Sequence, residues 1–394
     1  MKKIAVAARE HLENIILPFW TGLRDPDFGG YYGYMGQDLH LDPRAEKGCI
    51  LNSRILWFFS EAAMALGRED LKDHAHHAYR FLSDYCLDPV HGGIFWSMTY
   101  DGKPLDTTKH TYNQAFAIYA LAAYYRLTGN KKALAQAREL FRLIEEHCTD
   151  EVGYLEAFTA DWGPESNEKL SENGVLADKT MNTLLHVFEG YSGLYQATRD
   201  PAVGKAMERI LDIYANKVYD PALHRQKVFF DADYNSILDL YSYGHDIESS
   251  WLMDWGCGLL EDPERNDRIR EIDLEIGKAV FDAAYSCRSL ANECDRGQVS
   301  EMRIWWVQAE TVVGLTHLWN KLPEETKYRD AAADTFRFIE EYMVDKRPGS
   351  EWFWAVDKTG APWPDKPILE PWKCPYHNGR MCMELMRRDP EIYI

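Results

Sequence analysis

The segment YSYGHDIESSWL, residues 241–252, carries the strongest candidate for acid–base chemistry. Gly244 marks a change from loop to helix, and His245 and Glu248 then stand three residues apart on one helix face. A carboxylate beside an imidazole orients the ring and raises its basicity, so His245 is a candidate general base. The alternative is a polar cluster at a helix N-terminus. A Glu-x-x-His metal motif would need the reverse order and a second copy, so we expect no metal.

A second candidate lies in the segment PWKCPYHNGRMC, residues 371–382. Two prolines and a glycine frame a rigid loop that carries His377, with Trp372 nearby and Arg380 opening the next helix. A histidine on an aromatic-rich loop is more typical of a functional site than one on an apolar helix face. The alternative is a loop histidine whose hydrogen bonds are satisfied within the fold.

Two further clusters place polar side chains inside apolar helices. Arg54 interrupts the apolar segment NSRILW, and burying a guanidinium is costly unless it meets an anion, a hydrogen-bonding partner or a ligand. Asn182 and His186 are four residues apart, on the helix face that also carries Glu189. Each cluster alone is as well explained by a core network, and only their joint position at the ends of inner helices favours a site.

Aromatic residues are frequent, with 13 tryptophans and 23 tyrosines in the chain. Their rings have apolar faces and polar edges, which suits a pyranose whose C–H faces stack and whose hydroxyls need partners. The segment RIWWVQAE sets Trp305 and Trp306 beside Gln308 and Glu310. Polar side chains among aromatic ones therefore predict a carbohydrate ligand.

Composition excludes several classes of protein. The 394 residues carry 44 Lys and Arg against 63 Asp and Glu, and this net charge of −19 argues against nucleic-acid binding. Eight scattered cysteines indicate reduced thiols, and the N-terminal apolar run is too short for a signal peptide. We expect a cytoplasmic protein without a membrane-spanning stretch. Three clustered histidines, His74, His76 and His77, are expected to be solvated on a surface helix.

Helical patterns alternate with short loops along the chain. Residues 111–125 are apolar nearly all round, which predicts a buried inner helix. Residues 130–148 are amphipathic, which predicts an outer helix. Its expected apolar stripe consists of Leu134, Ala137, Phe141 and Ile144.

Glycine- and aromatic-rich loops recur at intervals of 53 to 72 residues, each long enough for two helices and a short hairpin. Six such units predict an all-α fold, an (α/α)6 barrel in which helical hairpins close into a double ring with short β-hairpins and loops at one mouth. The alternative is an open α-solenoid. No linker interrupts the chain, so we expect a single catalytic domain over residues 1–394. The loops begin at Asp25, Asp88, Asp150, Asp220, Asn292 and Asp345.

Five segments together resemble the cellobiose 2-epimerases of the N-acylglucosamine 2-epimerase superfamily. They are SYGHDIESSWL, RIWWVQAE, NSRILWFFSEA, ADKTMNTLLH and PWKCPYHNGRMCMEL, in the family's order. The resemblance implies an (α/α)6 barrel and reversible, cofactor-independent epimerisation at C2 of a reducing-end sugar. The implied substrate is cellobiose, with lactose and mannobiose as further candidates and glucosyl-mannose as the product from cellobiose. We expect a monomer or weak homo-oligomer.

The same resemblance implies roles for single residues. His245 and His377 match the family's two catalytic histidines, and Arg54 matches its arginine. Glu248 is expected to support His245, and Trp372 to stack on the sugar. The other expected substrate-binding residues are Asn182, His186, Tyr112, Trp305, Trp306 and Glu310.

The residue types fit this chemistry. Inverting C2 beside an aldehyde requires removing a proton from one face and returning one to the other, which two histidines can do reversibly. His245 and His377 are about two repeats apart, so a closed ring holds them on opposite sides of a pocket. Arg54 is the candidate to stabilise the cis-enediolate, and His377 to protonate the ring oxygen on opening.

Other functions stay open on the sequence alone. A mannose or mannobiose 2-epimerase or an aldose–ketose isomerase would use the same enediol. An inverting (α/α)6 glycoside hydrolase requires two carboxylates about 6.5–9.5 Å apart, whereas the motifs here centre on histidines. A non-catalytic sugar-binding module would not need paired histidines.

Overall fold

Helices form most of the protein, as the sequence predicts. The computed structural model describes residues 1–171 and 174–394. Several helices are extended by π-helical turns, at Leu12–Ile16, Leu82–Cys86, Tyr214–Val218 and Ile339–Met343. The α-helices are α1 (Ile4–His11), α2 (Leu17–Gly22), α3 (Cys49–Leu66), α4 (Glu69–Phe81), α5 (Thr111–Thr128), α6 (Lys131–His147), α7 (Met181–Thr198), α8 (Pro201–Ile213), α9 (Tyr243–Cys257), α10 (Pro263–Ala284), α11 (Trp305–Lys321), α12 (Thr326–Phe338) and α13 (Tyr376–Arg388).

Strands of two or three residues lie in the loops between the helices. They are β1 (Lys47–Gly48), β2 (Ser97–Met98), β3 (Pro104–Asp106), β4 (Lys109–His110), β5 (Ala157–Phe158), β6 (Lys179–Thr180), β7 (Tyr219–Asp220), β8 (Arg225–Gln226), β9 (Phe229–Phe230), β10 (Leu240–Ser242), β11 (Tyr285–Ser286), β12 (Ser289–Leu290), β13 (Glu293–Asp295), β14 (Gln298–Val299), β15 (Arg303–Ile304) and β16 (Ala355–Val356). Antiparallel sheets follow the orders β1-β2-β3 and β10-β13-β14, and the other strands pair as β4-β5, β6-β9, β7-β8, β11-β12 and β15-β16. Several of these strands lead directly into an inner helix, so the sheets fix where that helix begins.

In the described part of the chain, six helices form an inner layer whose members contact one another in a closed cycle. Helix α3 packs against α5, α5 against α7, α7 against α9, α9 against α11, α11 against α13, and α13 against α3. An outer layer surrounds them, because α4, α6, α8, α10 and α12 each pack on the inner helix that precedes them. Helix α1 packs on α13, so the two ends of the chain meet and complete the outer layer.

The inner and outer helices differ in burial as their patterns predict. Helix α5 buries every side chain from Thr111 to Tyr124, which confirms the predicted inner helix. Helix α6 is amphipathic as predicted, but its stripe is offset, because Leu134 and Phe141 are only half-buried. The periodicity of a sequence predicts the width of an apolar stripe more reliably than the direction, around the helix axis, in which the stripe faces. The side chains that α6 buries are Ala133, Ala137, Leu140, Leu143 and Ile144.

Three of the recurring loops each contain an ion pair of the same kind, and we call these three pairs the loop ion pairs. In each, Oδ1 of the loop aspartate accepts backbone N–H groups within the loop, and Oδ2 accepts from a lysine in the strand before the next inner helix. Because a buried charge needs its partner, each pair anchors a loop at the N-terminal end of an inner helix. The pairs are Lys47–Asp25 (2.5 Å), Lys109–Asp88 (2.9 Å) and Lys179–Asp150 (2.6 Å).

Helix α3 corrects one expectation from the sequence. It is long and apolar enough to span a membrane, with a mean hydropathy of 1.2, although we expected no such stretch. In the structure 83% of it is buried. Its apolar character is explained by its place in the inner layer, where all of its faces contact other helices.

Two of the three clustered histidines of α4, His74 and His77, are placed differently from the prediction, whereas His76 is exposed as expected. His77 is buried, and its Nε2 lies 2.8 Å from the carbonyl oxygen of Gly30. His74 and His76 bond to the hydroxyls of Tyr31 and Tyr124. These side chains therefore connect the outer layer to the core and are not simply solvated.

Candidate active site

A cavity of about 380 Å³ opens where the N-terminal ends of the inner helices meet. Each inner helix contributes from its first two turns, since these ends point toward the loops on one side of the molecule. Predicted site residues that line the cavity are Arg54, Tyr112, Asn182, His186, His245, Glu248, Trp305, Trp306, Trp372 and His377. The lining residues that the sequence reasoning missed are Lys169, Leu170, Ser242, Asn292, Glu293, Ser300, Met302, Ile304, Trp354 and Glu370.

His245 stands in the first turn of α9 with one ring edge at the cavity. Its Nδ1 lies 2.6 Å from Oγ of Ser242, the last residue of β10. Burial, with a smaller effect of His186, lowers the pKa of His245 to about 3, so the ring is neutral at physiological pH. The expected support from Glu248 is not formed among the described residues, because the Glu248 carboxylate turns to Arg380 instead.

His377, expected on a loop before a helix opened by Arg380, stands instead in the first turn of α13, which begins at Tyr376. Its partner differs from that of His245. Its Nδ1 lies 2.8 Å from Oε1 of Glu310, a fully buried residue of α11. Burial and the charge of Arg380 hold the pKa of His377 well below its usual value. Glu310, which we expected to bind substrate, therefore lies behind the histidine and does not line the cavity.

One indole touches both histidines. The ring centroid of Trp306 lies 4.8 Å from that of His245 and 5.4 Å from that of His377. The two imidazoles therefore share one aromatic neighbour at the cavity wall. Trp305 also lines the cavity but is more deeply buried and packs on Trp354 at 5.1 Å.

Arg54 is a buried cation in an aromatic environment. Its Nη2 donates to the hydroxyl of Tyr112 at 2.7 Å, and its guanidinium lies 4.1 Å from the ring centroid of Phe116. Among residues 1–171 and 174–394, no carboxylate forms an ion pair with Arg54, and its Nε has no hydrogen-bond partner. A cation held in this way beside a cavity attracts an anionic or strongly polar ligand.

Asn182 and His186 lie on neighbouring turns of α7, as predicted. Nδ1 of His186 donates to Oε2 of Glu189 at 2.9 Å. Burial lowers the pKa of His186, and Glu189 opposes this effect. Within the described chain, Oδ1 of Asn182 has no hydrogen-bond partner, so it is available to a ligand hydroxyl.

Three carboxyl groups surround Arg380, and only that of Glu248 belongs to a residue that also lines the cavity. They belong to Glu189, Glu248 and Glu310, from α7, α9 and α11. For Glu189, Arg380 and its other donors overcome the effect of burial and hold its pKa at about 2. For Glu248, burial and the neighbouring charge of Glu310 raise the pKa to about 8, so this carboxyl is protonated at neutral pH.

The same cluster has the donor types of a metal site. Ligand atoms of Glu248, Glu310 and His377 lie within 4.8 Å of one another. However, Arg380 already donates to both carboxylates, and its Nη2 is 2.8 Å from Oε1 of Glu310. A cationic group therefore already occupies this side of the cluster, and the absence of a metal stays a prediction.

The sequence reasoning missed Ser242, Glu189 and Arg380 as members of the site. Each stands three residues from a candidate histidine, at positions 245, 186 and 377, which is a signal that could have found them. That spacing is too common in helices to identify a partner. Only the packing of the inner helices brings Arg380 to Glu189, whereas Ser242 bonds to His245 apart from that network.

Comparison with known proteins gives relatives over nearly the whole chain. The sequence profile described as N-acylglucosamine 2-epimerase (GlcNAc 2-epimerase) matches residues 30–379. The cellobiose 2-epimerase of Eubacterium cellulosolvens is 50% identical over 399 residues, covering 97% of this chain and 98% of that protein.

Two solved structures are similar in both sequence and fold. A sugar epimerase from a ruminal bacterium has a TM-score of 0.97 at 46% identity, covering 99% of this chain and 100% of that one. The cellobiose 2-epimerase from Bacillus thermoamylovorans B4167 has a TM-score of 0.94 at 40% identity, covering 98% of this chain and 100% of that one.

Proposed function

The chain belongs to the N-acylglucosamine 2-epimerase family and is a carbohydrate epimerase, and we propose that it acts on cellobiose and related β-1,4-linked disaccharides. The reaction inverts C2 of the reducing-end glucose, which converts cellobiose to glucosyl-mannose and uses no cofactor. Relatives named as cellobiose 2-epimerases, at up to 50% identity over nearly the full chain, support this substrate.

The observation that carries the mechanism is that two neutral histidines, from α9 and α13, line the same cavity. His245 and His377 both contact Trp306 and both line the cavity. A base that removes a proton from carbon must be unprotonated beforehand, and the low pKa of each ring meets that requirement. Two such bases allow proton removal on one side of C2 and proton return on the other.

The reaction begins with ring opening, in which a proton is delivered to the ring oxygen. We assign this step to His377, because its Nδ1 is held by Glu310 and its Nε2 faces the sugar: Nε2 takes the proton of the anomeric hydroxyl and passes it to the ring oxygen as the C1–O bond of the ring breaks. In the open aldehyde, one histidine then takes the proton from C2 and the C2–H electron pair forms the cis-enediolate. The other histidine, after taking up a proton from solvent, gives that proton to the opposite face of C2, the first histidine releases its proton to solvent, and ring closure completes the reaction.

Negative charge develops on the enediolate oxygen, and Arg54 is the group placed to stabilise it. Its guanidinium lines the cavity without a carboxylate of its own in the described chain, so a ligand oxygen does not compete with an internal anion. A preorganised donor of this kind contributes about 3–4 kcal/mol of transition-state stabilisation. Protonated Glu248, whose Oε2 has no partner among the described residues, donates to a sugar hydroxyl.

The fold we infer for this enzyme is an (α/α)6 barrel forming one catalytic domain over residues 1–394. The closed cycle of contacts from α3 through α13 and back to α3 supports it. An open solenoid would leave its first and last inner helices apart. We further propose a cytoplasmic protein, in line with its sequence.

One experiment tests the proposed reaction. The protein is incubated with cellobiose in D2O, and the C2–H resonance of the reducing-end sugar is followed by NMR. We expect deuterium at C2 and a mannosyl reducing end. Label transfer to C1 with a ketose product would instead indicate an aldose–ketose isomerase, and release of glucose without exchange would indicate a hydrolase.

A further inference from the structure

A single guanidinium behind the cavity connects four inner helices. Arg380 of α13 donates through Nη1 to Oε1 of Glu189 at 2.5 Å and through Nη2 to Oε1 of Glu310 at 2.8 Å. Its Nη2 also donates to Glu248, and its Nη1 to the hydroxyl of Tyr376. The side chain is 2% exposed, so these contacts are made in the interior.

Two of these carboxylates each hold a histidine that lines the cavity. Oε1 of Glu310 lies 2.8 Å from Nδ1 of His377, and Oε2 of Glu189 lies 2.9 Å from Nδ1 of His186. Glu189, whose pKa is about 2, is ionised and can only accept, and both oxygens of Glu310 already accept, Oε1 from Arg380 and Oε2 from the indole N–H of Trp251. Both imidazoles must therefore carry hydrogen on Nδ1, which leaves the Nε2 lone pair for the cavity.

The third histidine lacks this constraint. The partner of His245 is the hydroxyl of Ser242, which can rotate to donate or to accept. Its tautomer is therefore set by the ligand and not by the protein. The contrast shows that the carboxylates, and the arginine that orders them, do more than fill space.

We propose that Arg380 is a positioning residue, which through Glu310 and Glu189 fixes the Nδ1–H tautomers of His377 and His186. In this way Nε2 of His377 is held ready to exchange a proton with the sugar. The consequence for turnover rests on the proposed function, whereas the tautomers belong to the resting enzyme. An experiment can therefore refute the tautomer assignment without refuting the proposed epimerisation, and the reverse.

Charge counting supports this role over a purely structural one. One guanidinium meets three carboxyl groups, of which Glu248 is protonated at neutral pH and two remain as acceptors for histidines, and Glu310 also accepts the indole N–H of Trp251 at 3.0 Å. A buried ion pair that only stabilises a fold needs one partner for each charge. The excess of acceptors is what allows two histidines to be held at the same time.

The direct test reads the imidazole tautomers by ¹⁵N–¹H NMR in the protein without substrate. In the unmodified enzyme we expect His377 and His186 as Nδ1–H tautomers. In Arg380→Lys, which keeps the charge but not the four hydrogen bonds, we expect His377 to show a mixture. Unchanged tautomers in a folded Arg380→Lys variant would overturn the proposal.

A kinetic measurement separates positioning from stability. We expect Arg380→Lys to lower kcat on the order of 10²-fold while KM stays within a few-fold, because the proton transfer is affected and the sugar contacts are not. Arg303→Lys is the matched control, since Arg303 is a buried arginine whose partners are serines and a carbonyl outside the cavity. A comparable loss of kcat in both variants would show a general packing effect.

The pH dependence of kcat is a further measurement, and it would not change if the role of Arg380 were only structural. The charged and titratable groups facing His377 are Arg380, Arg54, His186, Glu189, Glu248 and Glu310. Arg380 disfavours the imidazolium, so Arg380→Met should raise the pKa of His377 and move the acidic limb of kcat to higher pH. Arg380→Lys should leave that limb in place, and an unmoved limb in Arg380→Met would contradict the proposal.

A second pair of variants keeps the test decisive if Arg380 is needed for folding. Glu310→Gln and Glu189→Gln are isosteric, and an amide can donate as well as accept. We expect Glu310→Gln to give a mixture of tautomers at His377 only. We expect Glu189→Gln to give a mixture at His186 only. Retention of the Nδ1–H form in both variants would refute the coupling.

Discussion

The loop ion pairs and the cavity lie side by side at the N-terminal ends of the inner helices, yet they pair charges in opposite ways. In the loop ion pairs each buried lysine meets one aspartate, as in Lys109 with Asp88 at 2.9 Å. At the cavity, Arg54 has no carboxylate among the described residues, whereas Arg380, which lies behind the cavity, contacts three carboxyl groups.

The difference separates residues that hold the fold from residues that do chemistry. One-to-one pairing minimises the cost of burying charge, and it recurs from loop to loop because each loop has the same task. Unmatched charge costs stability, and it is typical of sites where a ligand or a transition state supplies the missing partner. Substitutions in the two regions should therefore change different measured quantities.

The largest expected effect comes from the cavity histidines. Replacing His245 or His377 by Asn removes a proton-transfer group, and we expect C2 exchange of cellobiose in D2O to fall on the order of 10⁴-fold or more. The thermal midpoint should change little. His76→Asn on α4 is the matched control and should keep full activity; retained exchange in either cavity variant would refute the two-base assignment.

Arg54→Met tests the unpaired cation. We expect kcat for epimerisation to fall about 10²–10³-fold, because the enediolate loses its donor. The free energy of unfolding should stay the same or rise by about 1 kcal/mol, because a buried charge without a carboxylate is removed. Chemical denaturation and steady-state kinetics measure both, and a large loss of stability with normal kcat would contradict this assignment.

The loop ion pairs should show the reverse result. Lys109→Met leaves Asp88 buried without its cation, and we expect the free energy of unfolding to fall by about 3–5 kcal/mol. The kcat of the folded fraction should be unchanged. Adding Asp88→Asn should restore part of the lost stability, since the stranded charge is then removed; no recovery would mean that the pair is not the stabilising element.

A smaller effect is expected from pH. Glu248 has a pKa raised to about 8 by burial and by Glu310, so it is protonated and donating below that pH and ionised above it. We expect kcat/KM to decline above about pH 8, by up to tenfold per pH unit, and Glu248→Gln to lack this decline. His245, with a pKa of about 3, should cause no acidic limb above about pH 4.

Much of the site could be predicted from sequence because its residues stand at recognisable positions. His377 follows two prolines on an aromatic-rich segment, and Arg54 interrupts an apolar helix, so each is conspicuous by residue type. The supporting residues are not conspicuous in this way. Glu310 was predicted as a substrate contact and is found behind His377, and Glu248 bonds to Arg380 instead of His245.

The sequence by itself determined the helical character of the chain, its repeated loops and the identity of the groups that can move a proton, because periodicity and residue type are local properties. The tertiary structure decided which carboxylate serves which histidine. Glu310 and His377 are on different helices, as are Arg380 and Glu189, and their distances depend on the rotation and crossing of α7, α11 and α13. The strength of a hydrogen bond changes when the donor–acceptor distance changes by a few tenths of an ångström. Only the packing of the inner helices sets the positions of these side chains to that accuracy.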